Sequence, residues 1–82
     1  MSDLAPTAHD VLEYLIKSLV NDPEAVYIEA SGDKRCIFSV SVAEDDMGRV
    51  IGRRGRVANA IRTVVRAAAV SDDTEIDVDF VD

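Results

Sequence analysis

The spacing of apolar residues switches between a helical and a strand period along this 82-residue chain, and the order of the switches predicts its secondary structure. Residues 8–20 repeat apolar side chains every three or four positions, as an amphipathic helix does. Residues 25–30 and 35–42 alternate apolar and polar side chains around the turn residues SGD, which predicts a hairpin. Residues 57–70 return to the helical period, and residues 74–81 alternate once more.

A short helix is predicted between the hairpin and the 57–70 helix. The acids EDD at 44–46 are residues that helix N-termini favour, and Gly52 follows the apolar Val50 and Ile51 as a helix terminator. The predicted order is therefore α-β-β-α-α-β. Three strands that bury one face beneath three helices form a two-layer α+β domain with a three-stranded mixed sheet.

Finer predictions concern the helix ends and the domain limits. Thr7 and Asp10 predict a capping box at the start of the first helix. No linker or internal repeat divides the chain, so we expect residues 1–82 to form one domain, with residues 1–6 as a loose N-terminal end. The predicted buried face of the 57–70 helix consists of Val57, Ile61, Val64, Val65 and Ala68.

The composition argues against several classes of protein. The single cysteine, Cys36, allows no internal disulfide and suits a reducing compartment, and it is expected to be a small buried hydrophobe. Without an apolar run of about 18 residues or a leader, we expect a soluble cytoplasmic protein that does not contact the membrane. His9 has no Cys or His partner at ligand spacing, and no nucleophile–base pair or Walker A motif is visible. We therefore expect no metal, no cofactor and no catalytic site.

Positive charge is concentrated in one segment of an acidic chain. The formal net charge is −7, which argues against indiscriminate binding to nucleic acids. Residues 47–70 nevertheless contain six arginines and no acid, whereas the rest of the chain contains three cations and all 16 acids. Because electrostatic potential is local at a Debye length of about 8 Å, this segment can still bind an anion.

The sequence Gly52-Arg53-Arg54-Gly55 links the two helices within this basic segment. Its glycines permit backbone angles that other residues resist, and they let a foreign backbone approach without a Cβ in the way. The loop leads into the N-terminus of the 57–70 helix, where free N–H groups and the helix dipole favour an anion. Glycines at this spacing are common in ordinary turns. The prediction of an anion site therefore depends on the clustered cations and on the position of the loop between two helices. Arg53 and Arg54 are expected to point outward, toward a phosphodiester backbone.

Four further arginines accompany the loop. Arg49 and Arg56 flank it and are predicted to contact the same backbone, unless they pair with the acids of the short helix. Arg62 and Arg66 lie one helical turn apart, and they either extend the phosphate track or pair with acids between 72 and 79. The residues alone leave these alternatives open.

The stretch MGRVIGRRGRVANAIRTVVRAAA, together with YLIKSLVNDPEAV near the start, resembles a KH domain of the type II order, in which an α-β pair precedes a β-α-α-β core. More narrowly, the chain is similar to the small single-domain bacterial KH proteins of the KhpA (YlqC-like) RNA-binding family over roughly residues 8–81. The resemblance implies that residues 52–55 are the GxxG loop that contacts the RNA backbone. It also implies that Val50 and Ile51 support the loop and the floor of the groove.

The same resemblance implies a function and partners. Members of the family are regarded as single-stranded RNA-binding, RNA-chaperone-like proteins of post-transcriptional regulation, linked to cell-wall homeostasis and cell-length control. They associate with a larger KH-domain protein and self-associate. A second hypothesis also stays open, in which the 44–51 helix and the GxxG helix pair form a protein-interaction surface whose arginines meet an acidic partner. Both hypotheses describe a binding module and not an enzyme.

Overall fold

The computed structural model describes residues 5–81, and their elements follow the predicted α-β-β-α-α-β order. The elements are helix α1 at Pro6–Leu19, strands β1 at Tyr27–Ser31 and β2 at Arg35–Ser41, helices α2 at Met47–Ile51 and α3 at Arg56–Ala69, and strand β3 at Glu75–Phe80. Short 3₁₀ turns lie at Pro23–Ala25, Glu44–Asp46, Arg53–Gly55 and Val70–Asp72. The predicted α+β class is confirmed.

The three strands form one mixed sheet in the order β1-β2-β3. Strand β1 is antiparallel to β2, with Ile28 opposite Val40, and β2 is parallel to β3, with Phe38 opposite Val78. Parallel neighbours need a crossover connection, and here α2 and α3 supply it. Strand β3 is therefore an edge of the sheet, next to the helix that follows the GxxG loop.

The core lies between one face of this sheet and the helices. Alternate residues of β2, Cys36, Phe38 and Val40, are fully buried, as the period of two predicts. The expectation that Cys36 is a buried hydrophobe is confirmed. The other large buried side chains are Leu12, Ile16, Val50, Val65, Ile76 and Val78. Helix α1 packs along α3 above them, which completes the two layers.

The start of α1 differs from the prediction. The helix begins at Pro6, whose fixed φ suits a first helical position, and Ala5 is fully buried. The prediction of a loose end was therefore wrong for residues 5 and 6, and its remainder, residues 1–4, lies outside the described residues.

The cap of α1 comes from the other end of the chain. The backbone N–H of Thr7 donates to Oδ1 of Asp72 at 3.1 Å, and that of Ala8 donates to Oδ2 at 2.9 Å. No side chain within α1 makes a capping bond, so the predicted capping box between Thr7 and Asp10 was wrong. The carboxylate of Asp72 satisfies two of the donors that a helix N-terminus leaves open.

The buried face of α3 is rotated from the predicted one. Ile61 and Val65 are buried as predicted, but Val64 is 47% exposed, whereas Ala58 and Ala69 are each only 2% exposed. The buried residues follow one another at intervals of three and four, which is a regular helical stripe. Ile61 and Val65 form the centre of this stripe, and its ends are the alanines Ala58 and Ala69, which hydrophobicity alone ranks low.

Candidate nucleic-acid interface

Gly52 ends α2 in a conformation that requires glycine. Its N–H donates to the carbonyl of Gly48 at 2.9 Å, and its φ of 75° with ψ of 173° lies in a region that only glycine adopts readily. A Cβ at this position would lie 2.7 Å from Cβ of Val57 and 2.9 Å from its backbone nitrogen. Both the backbone angles and the close contact with Val57 therefore exclude a side chain.

Two consecutive left-handed residues complete the loop. Arg54 has φ 58° and ψ 24°, and Gly55 has φ 73° and ψ 14°. The N–H of Gly55 donates to the carbonyl of Gly52 at 3.1 Å, which closes the turn. A non-glycine residue in this region costs about 1–2 kcal/mol, and such strain is concentrated at functional sites. The strained geometry places Arg54 on the outside of the link between α2 and α3.

Three arginines at this loop are exposed and make no ion pair with another described residue. Arg53 and Arg54 lie within it, and Arg56 is the first residue of α3. Within residues 5–81, none of the three has an acidic partner within salt-bridge distance. The N–H of Arg56 donates to the carbonyl of Arg53, and no side chain of residues 5–81 caps the N-terminus of α3. The helix dipole therefore adds to the positive potential, and the structure brings together a cationic loop and a helix N-terminus without a side-chain cap.

Arg49, the remaining flanking arginine, is already paired. Its Nε lies 3.3 Å from Oδ1 of Asp46, one helical turn earlier, while 53% of its side chain stays exposed. The alternative in which a flanking arginine pairs with an acid of the 44–46 stretch therefore holds for Arg49. Its predicted contact with RNA stays a prediction.

Arg62 and Arg66 are also engaged within the protein. Arg66 Nη2 lies 3.2 Å from Oδ1 of Asp77, which also binds Arg35 at 3.3 Å. Arg62 donates from Nε to the carbonyl of Val78 at 3.0 Å. Of the two alternatives left open, pairing with an acid between 72 and 79 thus holds for Arg66, and Arg62 binds a backbone carbonyl instead.

Val50 and Ile51 lie beneath the loop. Val50 is fully buried, and Ile51 is partly buried against the core. Their burial anchors α2 to the core beside α3 and α1 and fixes the position from which the loop begins. Their role in lining a groove stays a prediction.

Asp46 is a functional candidate that the sequence analysis missed. It is the one charged side chain among residues 5–81 that is buried, at 1% exposure. Its Oδ1 accepts the N–H of Asn21 at 3.0 Å, and its Oδ2 accepts that of Asp22 at 3.1 Å. Asp46 thus joins the turn after α1 to the start of α2 and holds Arg49 as well. The two acids before it, Glu44 and Asp45, are exposed. Nothing in the local sequence predicts that Asp46, and not one of these two, is buried.

A second group of polar side chains lies on the first turns of α1. Ligand atoms of His9, Asp10 and Glu13 lie within 4.8 Å of one another. The expectation that His9 holds no metal rested on the absence of Cys and His partners and left out these two carboxylates. Glu13 accepts a hydrogen bond from Lys17 at 2.7 Å, and this bond and the charge of Lys17 lower the pKa of Glu13. The His9 ring packs on Phe38 with 5.7 Å between centroids, so both His9 and Glu13 have structural contacts.

An open apolar depression of about 290 Å³ lies between α1 and α3, close to the loop. Its lining residues are Leu15, Arg56, Val57, Ala60, Ile61 and Val64. Apart from Arg56, every lining side chain is apolar.

Among the described helices, none is long and apolar enough to cross a membrane.

Two solved structures of Era share this fold. One is a variant of Aquifex aeolicus Era bound to GDP.AlF4-, and the other is Era in complex with MgGDPNP and nucleotides 1506–1542 of 16S ribosomal RNA. Each superposes with a TM-score of 0.70 at 13% sequence identity, over 98% and 96% of this chain. The chain spans only 31% and 30% of those Era chains, and at this identity the likeness concerns the fold alone.

Sequence comparison identifies the family. The sequence model described as "KhpA/KhpB, KH domain" matches residues 9–80. The proteins named RNA-binding protein KhpA from Clostridium perfringens and Clostridium acetobutylicum are 42% and 44% identical to this chain. These matches cover 88% and 87% of this chain and 97% and 96% of the two relatives. With the type II order of its helices and strands, the chain therefore belongs to the KhpA/KhpB family of KH domains.

Proposed function

We propose that the protein is a non-catalytic, single-stranded RNA-binding module in which residues 52–55 hold the sugar-phosphate backbone. One observation carries this proposal: a left-handed glycine loop, with exposed Arg53, Arg54 and Arg56 that have no acidic partner among residues 5–81, leads into the N-terminus of α3. A GxxG loop in a KH domain clamps roughly four backbone nucleotides. The relatives from Clostridium carry the name RNA-binding protein, which agrees with this chemistry.

The charge distribution supports binding at this one place. All 16 acids lie outside the basic segment, so the rest of the surface repels a polyanion. Phosphate contacts position a nucleic acid but do not read its sequence. A single groove therefore gives weak binding, and a second RNA site on a partner or another copy supplies avidity.

The cellular part of the proposal comes from the family resemblance. We propose a cytoplasmic RNA chaperone that acts in post-transcriptional regulation, with consequences for cell-wall homeostasis and cell length. Its partner in this role is a larger KH-domain RNA-binding protein. Recovery of RNA crosslinked to this protein in cells, and of the partner with it, tests this part separately from the loop chemistry.

Charge reversal in the loop tests RNA binding directly. The Arg53→Asp/Arg54→Asp double variant is expected to weaken binding of an oligouridine of about ten nucleotides at least tenfold, because two phosphate contacts become repulsive. The double variant changes the net charge by four units. Lys34→Asp, in the exposed turn of the hairpin, changes the net charge by two units away from the loop, and it should reduce affinity by far less than half of the free-energy loss of the double variant. Unchanged RNA affinity in the double variant, with altered oligomeric mass, would show that the loop serves another purpose.

The apolar depression favours a second function, self-association. Val57, Ala60, Ile61 and Val64 follow one face of α3 at helical spacing, and Val64 is 47% exposed. Exposed apolar patches of this kind mark interaction sites. Twofold symmetry is the commonest symmetry of homo-oligomers. In a twofold dimer through this face, each copy covers the depression of the other.

Sedimentation of a charged variant tests this second function. Val64→Asp should shift the mass from dimer to monomer without loss of helicity, because the side chain lies on the surface of the monomer. Thr63→Asp, on a neighbouring exposed position, is the control and should leave the mass unchanged. A wild-type protein that is monomeric at every concentration would exclude self-association through this face.

A further inference from the structure

We propose that Arg62 and Phe80 form a stacking platform for one nucleobase, beside the GxxG loop. This inference rests on the proposed RNA-binding function and extends it from the phosphate backbone to a base. In the sequence, Arg62 and Arg66 are equivalent candidates for a phosphate track. The structure separates the two, because only Arg62 lies over an aromatic ring.

Three contacts fix the guanidinium group of Arg62. Its Nε–H donates to the carbonyl of Val78 at 3.0 Å, and its Nη1 donates to Oδ1 of Asn59 at 3.0 Å. Its central carbon lies over the ring of Phe80, 5.4 Å from the centroid. The N–H bonds of a guanidinium lie in its plane, so the two acceptors set the orientation of that plane. Phe80 thus lies on one side of the guanidinium, and the side away from Phe80 is the one that we assign to the base.

The guanidinium of Arg62 lies at the free edge of the sheet, beside β3. The N–H of Val81 donates to Val40 of β2 at 2.9 Å, so backbone groups of alternate residues in β3 point toward β2. Those of Val78 and Phe80 point the other way, toward the edge that no described strand covers. The bond from Arg62 to the Val78 carbonyl confirms this orientation. A base on the guanidinium would lie beside the unpaired edge of β3.

The platform is within reach of a chain held by the loop. Arg56 begins α3 at the GxxG loop, and Arg62 lies six residues further along the same helix. At 1.5 Å per residue, the separation is about 9 Å along the helix axis. Because a KH groove holds roughly four nucleotides, a strand held at the loop is long enough to reach Arg62.

The geometry of Arg62 suits a flat aromatic ligand. Guanidinium planes and aromatic side chains stack unpaired bases in single-stranded RNA recognition. The two hydrogen bonds hold Arg62 in place before RNA arrives, which lowers the entropy cost of the stack. Since stacking needs only a π-face, the platform accepts any base and favours the larger surface of a purine.

A fluorescent base tests the proposal. The probe is an oligouridine of about ten nucleotides that carries one 2-aminopurine, placed at each central position in turn. Stacking on Arg62 should quench the 2-aminopurine at one position in wild-type protein, and Arg62→Lys should abolish that quenching because it keeps the charge and removes the plane. For the oligonucleotide whose 2-aminopurine is quenched by wild-type protein, the affinity of Arg62→Lys should be about 5- to 100-fold lower than that of wild type. Arg66→Lys, one turn further on and paired with Asp77, is the matched control and should keep both quenching and affinity.

The outcomes separate this inference from the function on which it rests. Suppose that RNA binding depends on Arg53 and Arg54. If no position then shows quenching, or if Arg62→Lys shows the same quenching as wild type, the platform is overturned and the RNA-binding function is not. Absence of binding, or binding that ignores Arg53 and Arg54, overturns the proposed RNA function. If Arg62→Lys proves unstable, the Nε–H resonance of Arg62 in wild-type protein decides, since a stacked purine must shift it and an oligonucleotide with an abasic site must not.

Discussion

Oδ1 of Asp46 accepts the backbone N–H of Asn21 at 3.0 Å, although the two residues are 25 positions apart in the chain. Oδ2 of the same carboxylate accepts the N–H of Asp22 at 3.1 Å. One buried side chain thereby fixes the turn after α1 against the helix that ends in the GxxG loop. The placement of the loop depends on this contact, which lies outside the loop itself.

Removal of the Asp46 carboxylate should destabilise the domain. Asp46→Ala leaves the N–H groups of Asn21 and Asp22 without their acceptor, at an expected cost of about 1–3 kcal/mol in the free energy of unfolding. The urea midpoint should fall at an unchanged slope. Asp45→Ala is the control, since Asp45 is exposed and its loss should change stability by less than about 0.5 kcal/mol. Equal midpoints for the two variants would contradict a structural role for Asp46.

The three glycines around the loop should differ sharply on substitution by alanine. Gly52→Ala combines a disfavoured φ with overlap on Val57 and should cost at least about 2 kcal/mol. Gly55→Ala meets open space and should cost only about 1–2 kcal/mol for its left-handed backbone. Gly48→Ala has helical angles and no atom within 4 Å of the added carbon, so it should stabilise the protein by about 0.5–1 kcal/mol. Chemical denaturation of the three variants measures this order, and any other ranking contradicts the loop geometry.

Acid should remove the contribution of Asp72 to stability. Partial burial alone would raise the pKa of this carboxyl, but the hydrogen bonds from the N–H groups of Ala8 and Thr7 outweigh it and hold the pKa below its usual value of 3.8. A depressed pKa in the folded state means stability that is present above the unfolded value and is lost as pH falls through the folded one. The difference in urea midpoint between wild type and Asp72→Asn should therefore be full at pH 7 and should shrink as pH falls below 3.8.

Asp73→Asn supplies the comparison for this pH experiment. It makes the same change of charge one residue later, on an exposed side chain with φ 53° that asparagine tolerates. Its midpoint should follow that of wild type across the acid range. A pH-independent difference between wild type and Asp72→Asn would rule out the carboxylate as the cap of α1.

The salt dependence of RNA affinity should reflect the three unpaired arginines. Neutralisation of three phosphates on a single strand predicts a log–log slope of about −2. Arg53→Ala should reduce the slope by about 0.7, whereas Arg66→Ala should leave it unchanged because Asp77 already binds Arg66. A titration of oligouridine binding by fluorescence anisotropy measures both slopes. A flat response in wild type would mean that the loop does not neutralise phosphates.

Patterns within a single element were sufficient to predict most of the fold. The alternation of Cys36, Phe38 and Val40 located β2 and its buried face, because a strand places every second residue on one side. The resemblance to KH domains and the local crowding of cations located the loop at residues 52–55. Each of these signals is contained in a few consecutive residues.

Contacts between distant residues could not be predicted in this way. The bond from Asp46 to Asn21 and the cap of Thr7 by Asp72 join positions with no shared local pattern. Val64 carries as strong a hydrophobic signal as Val65, but the angle at which α3 packs decides which one is buried. The division of the arginines into free and engaged ones also depends on tertiary structure, because the partner of Arg62 is a backbone carbonyl of β3.

The capping of α1 by Asp72 also bears on how the protein is made. The ribosome delivers the chain from its N-terminus, so α1 is complete long before residue 72 exists. Until then Thr7 and Ala8 lack their acceptor, and β2 lacks its parallel neighbour β3. A nascent chain therefore cannot reach the native arrangement of this domain before residues 72–80 have been synthesised. The loop at residues 52–55 thus leaves the ribosome before the strand that completes the sheet behind it.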